Sequence, residues 1–262
     1  MKAFTATLLL LLLAGCASGP RIDTRYSSIG HDSRAQFIVL HYTSADLPRS
    51  LTLLSGRDVS SHYLIGEAPA TIYRLVDENR RAWHAGESEW NGRTWLNSSS
   101  IGIELVNRGY VESADGRRLW YPYSDEQIDA LVALLKDIMA RHDLKLGAII
   151  GHSDIAPQRK VDPGPLFPWK RLADEGLLPW PEADAVAAER ANYALSGVPS
   201  VAWFQEALAV QGYRVPRHGQ LDDETRNVIA AFQMKYRPAR FDGEPDAETA
   251  AMLKVLTAQA GR

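Results

Sequence analysis

Cysteine is almost missing from this chain: 262 residues contain one, Cys16. No internal disulfide can form, and the folded body offers no thiolate to a metal, so any zinc there must rely on His and carboxylate. A surplus of positive charge is also missing. Lys and Arg number 29 against 32 Asp and Glu, a net charge of −3, which excludes phosphate-backbone binding to nucleic acid as the main task. The apolar run at residues 8–13 is too short to be a stable membrane span. The chain does have a 45% hydrophobic share, enough for a sizeable core, and a length that suits one large domain plus a small one.

The N-terminus reads as a secretory signal: Lys2, the leucine run, then small residues at Ala14-Gly15-Cys16. The stretch LAGC, residues 13–16, resembles the bacterial lipobox, which implies a lipidated Cys16 as the first mature residue. Ala17 and Ser18 follow, with no aspartate to favour inner-membrane retention, so the expected location is the periplasmic face of the outer membrane, held by lipid. The expected division is a signal peptide over residues 1–15, a tether over 16–34, an α/β body over 35–180, a linker over 181–198 and a helical domain over 199–262.

The body alternates strand and helix patterns. QFIVLHY (36–42), SSHYLI (60–65), TIYRLVD (71–77), SSIGIELVN (99–107) and KLGAIIG (145–151) read as strands. In SSIGIELVN, alternation puts Ile101, Ile103 and Leu105 on one face and Gly102, Glu104 and Val106 on the other. Ser124-Asp-Glu-Gln127 fits a capping box, and helical spacing of Ile128, Leu131, Val132, Leu135, Ile138 and Met139 predicts a helix over about 125–141. The fold class expected is α/β, a mixed central sheet flanked by helices, followed by a small three-helix domain at about 200–211, 222–236 and 246–258.

Seven histidines need sorting. His31, His142 and His218 read as solvated, and His62 as a satisfied, partly buried strand residue. His41 and His152 differ, because each ends an apolar strand, where α/β sheets gather ligands. The window IIGHSDIAPQRKVDPGPLFPW (149–169) then carries Lys160 and Asp162 in a loop stiffened by Pro157, Pro163, Pro165 and Pro168. His41, His152 and Asp162 make a three-ligand zinc site with a fourth position open to water. Glu104, a carboxylate on an otherwise apolar strand, reads as the general base, and Lys160 as the cation for an oxyanion.

FIVLHYT, VSSHYLI, AWHAG, SIGIELVNRG, GHSDIAPQRKVDPGPLFPW and AAFQMKYRP together resemble the zinc-dependent N-acetylmuramoyl-L-alanine amidases, the family shared by phage amidases and peptidoglycan recognition proteins. The resemblance runs from Phe37 nearly to the end and is nearest to the outer-membrane lipoprotein members. It implies an amidase domain over 35–180, Zn²⁺ on His41, His152 and Asp162, and Glu104 and Lys160 at the acid/base and oxyanion positions. Phage members carry a cysteine where Asp162 stands. His84 of AWHAG is implied to lie near the substrate. The helical domain resembles a peptidoglycan-binding module, removable without loss of the chemistry. The implied partners are peptidoglycan or muropeptides and the outer membrane. Three other readings stand beside this one: a non-catalytic peptidoglycan-binding protein of the same fold, a serine hydrolase built on Ser153 and His152, and a wall tether.

Overall fold

The computed structural model describes residues 19–260. The signal segment and Cys16 lie outside the described residues. Residues 19–32 are exposed and form no helix or strand. From Ser33 onward the chain is one compact unit.

The order of elements is β1 (Phe37–Tyr42), α1 (Leu47–Leu54), β2 (Tyr63–Ile65), β3 (Ile72–Arg74), β4 (Glu89–Trp90), β5 (Arg93–Thr94), β6 (Ser100–Leu105), β7 (Tyr110–Glu112), β8 (Arg118–Trp120) and α2 (Asp125–His142). There follow β9 (Ile149–Gly151), the single turn α3 (His152–Ile155), α4 (Trp169–Asp174), α5 (Ala183–Ser196), α6 (Val201–Val210), α7 (Asp223–Tyr236) and α8 (Ala247–Ala260). The main sheet has the order β3-β2-β6-β1-β9. β2, β6, β1 and β9 are mutually parallel and β3 runs antiparallel at the edge, so the sheet is mixed, as expected. The observed strands are shorter than their apolar runs, because Ser60–His62 and Lys145–Ala148 approach the sheet as bends and turns.

The sheet sorts its side chains by alternation. Ile38, Leu40, Ile101, Ile103, Leu105 and Ile149 face α2 and α4, packing with Ile128, Leu131, Leu135, Ile138, Trp169 and Leu172. The opposite face carries Val39 and Ile150, which form one apolar cluster with Ala85, Leu96, Ile155 and with Phe204, Leu208, Ile229 and Phe232 of the C-terminal helices. One continuous core therefore joins sheet and helical module. Removing the module would therefore cost the body packing energy: a buried Phe, Leu or Ile is worth roughly 1.5–3 kcal/mol, so several together are comparable with the 5–15 kcal/mol by which typical domains are stable.

Two local expectations need correction. The predicted linker is mostly helix: α5 lays Val186 and Tyr193 against Ala251, Met252 and Val255 of α8. The predicted capping box is half formed. Ser124 Oγ accepts from the Gln127 N–H at 3.2 Å, but the Gln127 side chain turns inward and donates to the carbonyls of Ile65 and Val106 at 3.1 and 3.0 Å. It secures the helix to the ends of β2 and β6 instead of closing on its own cap. The three module helices begin on Ser200, Asp222 and Asp246, whose side chains accept from the N–H of Trp203, Thr225 and Thr249.

Candidate metal centre and active-site cleft

Strand register builds the site. Parallel strands end on the same side of a sheet, and β1, central between β6 and β9, pairs His41 with Glu104 and Leu40 with Gly151. His152, the next residue after Gly151, thereby joins His41 and Glu104 in one row at the carboxyl edge, the place where α/β sheets bind ligands. Asp162 arrives from the proline-rich loop, whose carbonyl at Asp162 accepts the Ser153 N–H at 2.8 Å. The three atoms His41 Nδ1, His152 Nδ1 and Asp162 Oδ2 lie 2.9–3.1 Å from one another. All three residues are buried.

Hydrogen bonding assigns the protons. His152 Nε2 donates to the Ala85 carbonyl at 3.2 Å, which leaves its Nδ1 bare. Ser100 Oγ donates to the Leu96 carbonyl at 2.6 Å and so accepts from His84 Nε2 at 3.2 Å. His84 Nδ1 is then an acceptor for His41 Nε2 at 3.1 Å, leaving His41 Nδ1 bare as well. Two imidazole lone pairs and a carboxylate oxygen thus converge with no proton between them. Burial, reinforced by the neighbouring His152, holds His41 down to about 4, so it is neutral at pH 7. Burial alone would raise Asp162, but both imidazoles pull its carboxyl well below the usual range. Three converging acceptors, two of them imidazoles, fit a divalent cation. Tetrahedral bonds of 2.0–2.2 Å would set such donor atoms about 3.3–3.6 Å apart, close to the spacing found. The donor set can therefore hold a metal.

A cleft of about 370 Å³ opens over this centre. His41, His152 and Asp162 line it together with Glu104, Lys160 and His84, so all six expected site residues of the body share one cavity. Glu104 Oε2 is buried without a hydrogen-bond partner. Burial, then the negative charge of Asp162, raises its carboxyl to about 8 against the pull of Lys160. His84 packs flat where β6 has no side chain, since a Cβ on Gly102 would stand 2.4 Å from the His84 Cγ. Burial and the adjacent His41 and His62 keep it neutral. Asn97 Oδ1 fixes the AWHAG turn by accepting from the N–H groups of His84 and Ala85 at 3.0 and 2.8 Å. No spacing in the sequence pointed to Asn97. Arg159, also missed, lines the cleft and donates to the carbonyls of Ala85 and Glu87, tying the Lys160 loop to the same turn.

Other histidines divide as burial dictates. His62 is buried: its Nδ1 accepts from the Gly102 N–H at 2.9 Å, so Nε2 donates to the Arg80 carbonyl at 3.0 Å. His142, expected to be solvated, is instead half-buried between Ser33 Oγ at 2.6 Å and Glu78 Oε2 at 2.8 Å. Among the described residues no hydrogen bond joins Ser153 Oγ to a histidine, which leaves the serine-hydrolase reading without its base.

Known proteins resemble the chain in sequence and in fold. The profile of the N-acetylmuramoyl-L-alanine amidase family matches residues 31–165. A peptidoglycan binding domain profile matches residues 197–253. The chain is 44% identical to the N-acetylmuramoyl-L-alanine amidase AmiD of Escherichia coli K12, over 96% of each protein. It is 40% identical to the 1,6-anhydro-N-acetylmuramyl-L-alanine amidase AmpD of Citrobacter freundii, over 44% of this chain and 55% of that protein. Among solved structures it matches E. coli AmiD in complex with anhydro-N-acetylmuramic acid-L-Ala-D-gamma-Glu-L-Lys, with a TM-score of 0.83 over 93% of this chain and 96% of the other. It also matches AmpDh3 from Pseudomonas aeruginosa in complex with anhydromuramic pentapeptide, at 37% identity and a TM-score of 0.84 over 92% and 98%.

Proposed function

Since the chain belongs to the N-acetylmuramoyl-L-alanine amidase family, we propose that it hydrolyses the amide between the lactyl group of N-acetylmuramic acid and L-alanine, with His41, His152 and Asp162 holding Zn²⁺. The convergence of three proton-free acceptors at the edge of the sheet carries the reading of a metal. When bound, zinc polarises the scissile carbonyl and makes water a competent nucleophile at neutral pH. His84 keeps His41 in the tautomer that presents Nδ1, as outer hydrogen bonds commonly do for metal-binding imidazoles; it also lines the cleft, where it is expected to meet substrate. Glu104, whose carboxylate form a cation bound beside it would favour against the raising effect of burial, takes a proton from the attacking water and returns it to the leaving alanine amine. Lys160 stabilises the oxygen that gains charge as the carbonyl is attacked. The relatives solved with muropeptides support peptidoglycan fragments as the substrate class.

The helical module adds affinity for glycan or stem peptide, in line with its matching profile. Lipidated Cys16 would hold the whole at the outer membrane. A Cys16→Ser variant should leave the membrane fraction, and a variant that stays there defeats the anchor. The chemistry is tested by digesting purified peptidoglycan and anhydro-muropeptides with and without chelator. New alanine amines that vanish on chelation are expected. New glycan reducing ends, or turnover indifferent to chelator, would overturn the reading.

A further inference from the structure

α3, the single turn that begins with His152, also carries Asp154, a carboxylate 1% exposed. Its Oδ2 accepts from the Gly151 N–H at 2.8 Å, closing the turn from inside. Its other partners come from the helical module. Lys235 Nζ of α7 donates to Oδ2 at 2.9 Å, and the Tyr213 hydroxyl, after α6, donates to Oδ1 at 2.7 Å. Lys235 and Tyr213 are buried too. The ammonium also sits 4.4 Å from the centre of the Trp169 ring. That ring presses on Gly151, where a Cβ would meet it at 3.2 Å and Pro163 at 2.9 Å. Two routes from Lys235, one through Asp154 and one through Trp169, therefore end on the residue that precedes His152.

Docking alone does not call for this arrangement. The module already shares an apolar core with Val39, Ile150 and Ile155, and a buried ion pair adds little to stability that well-packed apolar residues would not. What it adds is a defined position for the turn. We infer that Lys235 and Tyr213 are positioning residues of the metal centre: through Asp154 and Gly151 they hold His152 at the spacing it needs opposite His41 and Asp162. The module then has two tasks, binding wall material on its surface and completing the site from beneath. This inference rests on the metal-amidase reading above.

The test uses the full-length protein with Lys235→Met, Tyr213→Phe and the double variant Asp154→Asn/Lys235→Met. The double variant keeps an oxygen for the Gly151 N–H without leaving a lone buried charge. Zn²⁺ affinity is titrated well below each unfolding temperature, together with hydrogen exchange at Gly151 and at Leu135 in the core of α2. kcat and KM are measured on a soluble muropeptide. Lys235→Met should weaken Zn²⁺ binding by about 10–100-fold, speed exchange at Gly151 but not at Leu135, and lower kcat more than KM changes. The double variant, which lacks the link but carries no lone buried charge, should still bind Zn²⁺ more weakly than the parent, by less than Lys235→Met does. If Lys235→Met does not fold, Tyr213→Phe and the double variant carry the comparison, with Tyr213→Phe showing the same changes in smaller degree. Parental Zn²⁺ affinity and Gly151 exchange in every folded variant would overturn the inference. A parent protein that binds no metal and cleaves no amide would instead sink the amidase reading, and this inference with it.

Discussion

Two clusters in this molecule each set a buried carboxylate beside histidine and behave in opposite ways. Around Glu78 a carboxylate meets Tyr63, Arg141 and His142, and each donor finds an acceptor. Burial would raise Glu78, yet those hydrogen bonds draw it down to about 2. Around Asp162 a carboxylate meets His41 and His152, and the atoms that face each other are all acceptors. Nearby, Glu104 carries an unpartnered oxygen and is pushed up to about 8. The first cluster is complete in itself and pins α2 to the loop after β3. The second is complete only with a cation and a substrate. Counting histidines and carboxylates cannot separate the two; following the protons can.

That contrast breaks most sharply at Asp162. Asp162→Ala should strip the metal and lower amide hydrolysis by more than about 10³-fold, because carbonyl polarisation and water activation are lost together; metal analysis beside a turnover assay checks both. Glu104→Ala should keep its metal while kcat falls about 10²–10⁴-fold, the usual contribution of a general base. Near-parental turnover would move the base elsewhere. Lys160→Ala should also keep metal and lose about 10²-fold in kcat, as when one oxyanion donor is removed. Glu78→Gln sits at the other pole. It should leave turnover within about twofold and cost roughly 1–3 kcal/mol of stability, read as a lower Tm.

The smallest effect sharpens the same contrast through pH. Glu78 is depressed on folding from 4.5 to about 2. Its contribution is therefore fully present above pH 4.5 and drains away as pH falls towards 2. Glu78→Gln should flatten that part of the stability profile in acid denaturation, and an unchanged slope between pH 4.5 and 2 would show that the cluster is not the source.

His41 and His152 were legible in the sequence because each closes an apolar strand, and an imidazole at the end of such a run has few structural tasks. Glu104 was legible through alternation, which put it on the face opposite Ile103 and Leu105. The helix over α2 and the three module helices were legible from spacing and capping residues. What stayed hidden depended on partners distant in sequence. His142 looked solvated because Ser33 and Glu78, which bury it, lie over 60 residues away. Lys235 drew no reading of its own, because its partner Asp154 is 81 residues earlier. α5 escaped because its alanine-rich stretch presents only Val186 and Tyr193 as a seam, too narrow for a periodic signal.

The shared core sets an order on biosynthesis. A chain emerges N-terminus first, and Phe204, Ile229 and Phe232, which share an apolar cluster with Val39 and Ile150 of the sheet, emerge last. At roughly 5–20 residues per second, the stretch from α6 to α8 takes about 3–12 s to appear. Through that interval one side of the nascent sheet has its full apolar cluster, while the cluster on the other has Ala85, Leu96 and Ile155 but lacks its late members. The unfinished side is an adhesive surface, and for those seconds the growing chain depends on a holding factor or on dilution to stay apart from its neighbours.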